Sequence, residues 1–284
     1  MDLFLVACAL FSALLHAGWN AAVKAQPDPR EAMAAQMIAA AVLAVPLLGW
    51  VGLPAAASWP WLALSTTCNM VAVAATLRAY REGAFGTVYP TARATSVLGV
   101  AGVAPLLLGE ALGHGAALGV ALVAAALVAL ALDSRRTAPG AAAMPPQALG
   151  WTLLAGCATA AYVLADAQGA RASGSAWAYG GVASITNALA MSWVNRGLGA
   201  PWTLVRRQAR VALPAGVVST VSYLLILWVY TRAPVAPAAA LRDTSAVFAL
   251  LIAAVWLKEP LGPRRVAIVA LALAGVPLLR LGSG

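Results

Sequence analysis

The chain has 284 residues, 62% hydrophobic and only 10% charged, with a mean hydropathy of +0.85. An ordinary soluble domain carries about 25% charged residues, so this composition excludes a soluble domain and marks an integral membrane protein. The net charge of +9 would point to nucleic acid in a soluble chain, but here the basic residues fill short gaps between apolar runs, a pattern of membrane topology that leaves nucleic acid out as a partner.

The first apolar run covers 3–22. Its start, "MDLFLVACALF", lacks the basic first region of a cleaved signal peptide, so it is expected to remain as a helix. Within "FSALLHAGWNAAVK" (11–24), Ser12, His16 and Asn20 are spaced by four and share one helix face, with Trp19 beside them. Facing inward, that stripe hydrogen-bonds a substrate, and His16 titrates close enough to neutrality to carry a proton. Facing a neighbouring helix, it only bonds to carbonyls. The sequence leaves both readings open.

Spans follow at about 31–50, 59–80, 84–108 and 114–132. In the fourth, Tyr89, Arg93 and Ser96 lie on successive turns, with Pro90 three positions before Arg93. The fifth holds Gly115 and Gly119, a G-x-x-x-G that serves close contact within the chain or across a dimer, so monomer and dimer both stand. "DSRRTAPGAAAMPPQ" (133–147) reads as a linker between residues 1–132 and 148–284. Beyond it come 149–168, with Asp166 near its end, then 175–194, 209–231, 235–257, with Arg242, Asp243 and Ser245, and 263–281. The fold class is therefore all-α and polytopic, with about ten spans in two groups of five.

Thirteen Lys and Arg residues fall in one set of alternate connections, against Arg171, Arg232 and Arg280 in the other. The richer set is expected on the cytoplasmic side, which directs both termini outward.

The two groups repeat each other. "ARATSVLGVAGVAPLLLGEALG" (92–113) aligns without a gap on "LRDTSAVFALLIAAVWLKEPLG" (241–262), placing Arg93 on Arg242, Thr95 on Thr244, Ser96 on Ser245 and Glu110 on Glu259 at an offset of 149. Five is odd, so a repeat in the same chain order enters the membrane inverted, the arrangement that lets one bundle open to either side of a midplane site.

An ionisable residue in hydrocarbon costs at least roughly 2.5–3.5 kcal/mol and normally faces a cavity or a partner. Candidates for substrate binding are His16, Asn20, Tyr89, Arg93, Arg242 and Ser245, and for proton coupling His16 and Asp166. The forked guanidiniums of Arg93 and Arg242 suit a carboxylate or another small anion; alternatively each pairs permanently with a protein acid. Asp243, adjacent to Arg242 on one helix, points elsewhere, which leaves Asp166 or the substrate as counter-charge. Glu110 and Glu259 read as interfacial anchors near Lys258, Arg264 and Arg265.

The five-plus-five plan, the "LLLGEALG" and "WLKEPLG" endings of the fourth and ninth spans and the "HAGWNAAVK" exit of the first resemble the EamA-type transporters of the drug/metabolite transporter superfamily. That resemblance implies a central cavity inside spans 1–4 and 6–9, spans 5 and 10 bracing the outside, a bacterial inner-membrane location and passage of a small metabolite, often outward. The expected function is a secondary transporter for a small polar metabolite, an amino acid or an organic anion, with a coupling proton and membrane lipids as its other partners. The alternative is a membrane-embedded enzyme acting on a lipid or phosphate-bearing substrate. Its nine acids form no D-x-x-x-D cluster and there are two histidines, so neither catalysis nor a metal is expected. Cys8, Cys68 and Cys157 stand apart in apolar runs, and no G-x-x-x-x-G-K-[ST] loop appears, so no disulfide, zinc, nucleotide or other cofactor is expected.

Overall fold

A computed structural model describes residues 1–83, 85–137, 144–256 and 262–281. It is helical along nearly its whole described length: α1 (Leu3–Lys24), α2 (Pro29–Val51), α3 (Trp59–Glu82), α4 (Phe85–Leu108), α5 (His114–Thr137), α6 (Pro146–Ala172), α7 (Ala176–Val194), α8 (Pro201–Arg207), α9 (Ala209–Tyr230), α10 (Val235–Asp243), α11 (Ser245–Trp256) and α12 (Pro263–Leu281). Each of the ten expected spans is one helix, except the ninth, which is divided at Thr244 into α10 and α11. Eight stretches among the described residues are long and apolar enough to cross a bilayer. The other two, α7 and α12, are 19 residues each. Polar side chains such as Ser184, Thr186 and Asn187 interrupt α7, and Arg264, Arg265 and Arg280 lie in α12.

Helices suit this setting because they satisfy every internal backbone group without water. Their ends are built locally. Asp28 Oδ1 accepts from the N–H groups of Arg30 (3.0 Å) and Glu31 (3.1 Å) while Pro29 opens α2, and Ser175 caps α7 through Ala178 N–H at 3.2 Å. The expected linker is shorter than 133–147, since α5 continues to Thr137 and α6 begins at Pro146; residues 138–143 lie outside the described ones.

Small side chains let the helices approach closely, and alanine dominates the buried surface. The main packing partners are α3 with α6, α5 with α12, α4 with α6 and α5, α2 with α7 and α9, and α1 with α9; α1 also meets α10 and α11. A Cβ on Gly119 of α5 would come within 2.8 Å of the Leu279 backbone on α12, and one on Gly275 within 3.0 Å of Gly119 O. Gly119 therefore serves close packing inside the chain.

The bundle has two different ends. At one, the α1–α2, α3–α4 and α7–α9 connections carry Lys24, Arg30, Arg78, Arg81, Arg196, Arg206, Arg207 and Arg210. At the other, the α2–α3, α4–α5, α6–α7 and α9–α10 connections come together, with Ala55 N–H donating to Ser173 O at 3.1 Å.

Candidate functional site

A cavity of about 250 Å³ lies in the middle of the bundle, lined from α1, α2, α3, α4, α6, α7, α9 and α10. On α1, α2 and α4 its lining falls in the halves nearest the basic end, so the cavity reaches from mid-bundle toward that end.

Arg93 and Arg242 both line it, as do His16, Asn20, Tyr89 and Asp166. The arginines differ in their engagement. Arg93 Nη1 donates to Asp243 Oδ1 at 3.1 Å, its Nη2 donates to His16 Nε2 at 3.1 Å, and its guanidinium lies 5.1 Å from the Tyr89 ring centre. Arginine has only donors, so His16 accepts through Nε2 and carries its ring proton on Nδ1. Arg242 is 7% exposed, has no ion pair among the described residues, and its Nε is buried without a hydrogen-bond partner among them. Asp243 thus forms its ion pair with the arginine of the other half and not with its own neighbour. Among the described residues, pairing with a protein acid holds for Arg93 and not for Arg242.

The remaining sequence candidates are placed as follows. Ser245 lies outside the cavity lining, 3.4 Å from the Tyr89 hydroxyl. Asn20 bonds back to His16 O at 2.9 Å while lining the cavity. Ser12, from the same stripe, lies deeper and exchanges hydrogen bonds with Ser222 of α9, donating to Ser222 O at 2.7 Å and accepting the return at Ser12 O at 2.8 Å. Trp19 lines the cavity and meets the His16 ring edge-on at 5.1 Å.

Asp166 is 2% exposed because α6 runs to Ala172, beyond the expected end at 168. Three hydroxyls hold it: Ser65 of α3 donates to Oδ1 at 2.5 Å, Tyr179 of α7 to Oδ1 at 3.1 Å, and Tyr223 of α9 to Oδ2 at 2.9 Å. Gly169 makes this possible. A Cβ there would clash with the Tyr179 ring, so any larger residue displaces the ring whose hydroxyl reaches the acid.

The cavity also holds groups that the sequence reading passed over. Gln36 donates to Ser219 across α2 and α9, and Asn69 donates to Asn187 Oδ1 at 3.0 Å across α3 and α7. Their signal was the spacing seen in α1: Ser65, Asn69, Thr76 and Tyr80 fall on one stripe of α3, and Thr159, Tyr162 and Asp166 on one stripe of α6.

The end opposite the basic connections is tied together. Arg171 donates to Glu110 Oε1 at 2.5 Å, to Tyr230 O at 2.8 Å and to Ala233 O at 3.0 Å, while Glu110 Oε2 accepts the N–H of Val235 at 2.6 Å. Glu110 is thus not near Arg264 and Arg265 as expected: Arg265 pairs with Asp133 at 3.2 Å, and Glu259 and Lys258 lie outside the described residues. The reason is topological, since α4 ends at the face where α6 and α9 also end.

Membrane-length helices enclosing a polar cavity with buried charges at mid-bundle suit a transporter. Residues 146–281 match the EamA-like transporter family, a match consistent with an EamA-type transporter of the drug/metabolite transporter kind. No curated protein matches the chain. A solved structure described only as "Crystal structure of protein" is similar over 99% of this chain and 96% of its own at 16% identity, with a TM-score of 0.74, a likeness of fold.

Proposed function

We propose that the transporter moves a small polar metabolite with an anionic group, an amino acid or an organic acid, by alternating access, and that Arg242 receives the anion. The observation that carries this reading is the buried, cavity-lining Arg242 guanidinium with no ion pair among the described residues, a charge that hydrocarbon does not tolerate uncompensated. A volume of about 250 Å³ suits a metabolite, being smaller than the roughly 300–1,000 Å³ of sites for drug-sized ligands. Asp166 and the amide groups of Asn20, Gln36, Asn69 and Asn187 offer hydrogen bonds to the rest of the substrate. His16 and Asp166 are the proton-coupling groups in this reading.

Residues 1–132 and 148–284 act as inverted repeats. Exchanging the halves turns the α1 with α9 packing into α6 with α3, and α4 with α6 into the ninth span with α1, which supports this. In the state described, the Arg171–Glu110 latch shuts one end while the cavity extends to the other. With the basic connections in the cytoplasm of a bacterial inner membrane and the termini outward, this is the inward-open state of an exporter. Nothing in the site favours the enzyme alternative.

The test is a panel of small anions, zwitterions, cations and neutral compounds scored by thermal stability of the purified protein. A ligand at a hundred times its dissociation constant stabilises by about 2.7 kcal/mol. Anions or zwitterions stabilise the wild type and not Arg242→Gln; stabilisation by cations or neutral compounds alone, equal in both proteins, refutes the reading.

A further inference from the structure

We infer that Asp243 sets the charge of the anion this cavity accepts, holding it to a single negative charge by occupying Arg93. The inference rests on the reading of Arg242 as the anion receptor. At the offset of 149, Asp243 matches Ala94, so the acid breaks the repeat while the two arginines keep it. A symmetric site would present two arginines of equal standing. Instead Asp243 Oδ1 takes Arg93 Nη1 at 3.1 Å, His16 Nε2 takes Nη2 at 3.1 Å, and Arg242 has no ion pair among the described residues and its Nε no hydrogen-bond partner among them. Asp243 is 5% exposed, whereas the Arg93 side chain it pairs with lines the cavity.

The acid that lines the cavity, Asp166, is held by Ser65, Tyr179 and Tyr223, lies within electrostatic reach of Arg242 without pairing with it, and is the same in every variant below. A monoanion therefore finds one guanidinium, that of Arg242, with no ion pair among the described residues. A dianion brings a second charge that has no partner and must still be desolvated, which is how a site rejects a ligand it does not clash with.

The experiment uses the full-length protein in detergent with butyrate and succinate, a monocarboxylate and a dicarboxylate of equal chain length, read as thermal stabilisation against concentration. Wild type favours butyrate. In Asp243→Asn the freed Arg93 raises the apparent affinity for succinate by about 10- to 100-fold, the range of one charge-assisted hydrogen bond, and reverses the order. The double variant Asp243→Asn/Arg93→Gln, which removes both partners of the pair, returns to the butyrate preference. Should Asp243→Asn be recovered poorly, succinate and not butyrate restores its yield, because it supplies the missing counter-charge. Asp243→Asn that binds butyrate and keeps the wild-type order, a double variant that stays selective for succinate, or a poor yield that succinate does not rescue overturns the inference. Wild type that binds neither acid overturns the anion reading itself, a result distinct from an unchanged order.

Discussion

Replacing Arg171 by Gln removes the cation from the latch that joins the ends of α4, α6 and α9 to the start of α10. Three acceptors lose their donor: Glu110 Oε1 at 2.5 Å, Tyr230 O at 2.8 Å and Ala233 O at 3.0 Å. Hydrogen bonds to a charged group are worth about 1.5–3 kcal/mol each, but they share one side chain. With the Arg171 side chain 29% exposed and that of Glu110 16% exposed, water recovers part of the loss, which leaves about 2–4 kcal/mol for the set. If the latch exists only while this end is shut, that free energy shifts the balance toward the opposite opening by roughly 30- to 1,000-fold. The assay is labelling of Ala239→Cys, in a background with Cys8, Cys68 and Cys157 changed to Ser, by a membrane-impermeant thiol reagent. Ala239 is 3% exposed and lies on α10 between Val235 at the latch and Arg242 at the cavity. Arg171→Gln speeds labelling from the latch side and slows access to the cavity from the basic side. A lower unfolding temperature with unchanged labelling refutes the reasoning, because Arg171 is then a strut and not a gate.

Three further outcomes are expected. Gly169→Val drives Tyr179 off Asp166 and destabilises by about 1–3 kcal/mol in equilibrium unfolding, whereas Tyr179→Phe, which keeps the ring, loses only the hydroxyl contact and costs about half that or less. Gly119→Leu pushes α5 from α12 and lowers the unfolding temperature, yet anion affinity stays within twofold because none of the cavity lining comes from either helix. In vesicles, a pH gradient drives substrate movement through the wild type; Asp166→Asn or His16→Gln flattens that response, and transport that ignores the gradient in all three proteins removes the proton from the mechanism.

Much of this architecture was legible because its physics is one-dimensional. Apolar runs of membrane length, separated by Pro, Gly and charge, mark nearly every helix, and the costly residues inside them, His16, Arg93, Asp166 and Arg242, are the ones that meet at the cavity. What spacing along one helix does not contain is the partner across the bundle. Asp243 beside Arg242 gives no sign that it reaches Arg93, since that depends on how α10 packs against α4. The division of the ninth span at Thr244, the exclusion of Ser245 from the cavity and the move of Glu110 to the Arg171 end have the same origin. Asn69 and Asn187 were present in the sequence among other polar residues at helical spacing, and Gln36 stood alone in an apolar helix, but uncharged polar residues cost little enough in a helix to be read as packing.

The central claim is that Arg242 carries the substrate's anionic group. Its most direct test is counterflow of the best-stabilising radiolabelled anion into proteoliposomes, comparing wild type with Arg242→Gln and with Arg242→Lys, which keeps the charge but not the fork. The account predicts uptake by the wild type, partial uptake with a raised half-saturation concentration for Arg242→Lys, and none above empty liposomes for a folded Arg242→Gln. Wild-type rates in Arg242→Gln would contradict it and return Arg242 to a purely structural role.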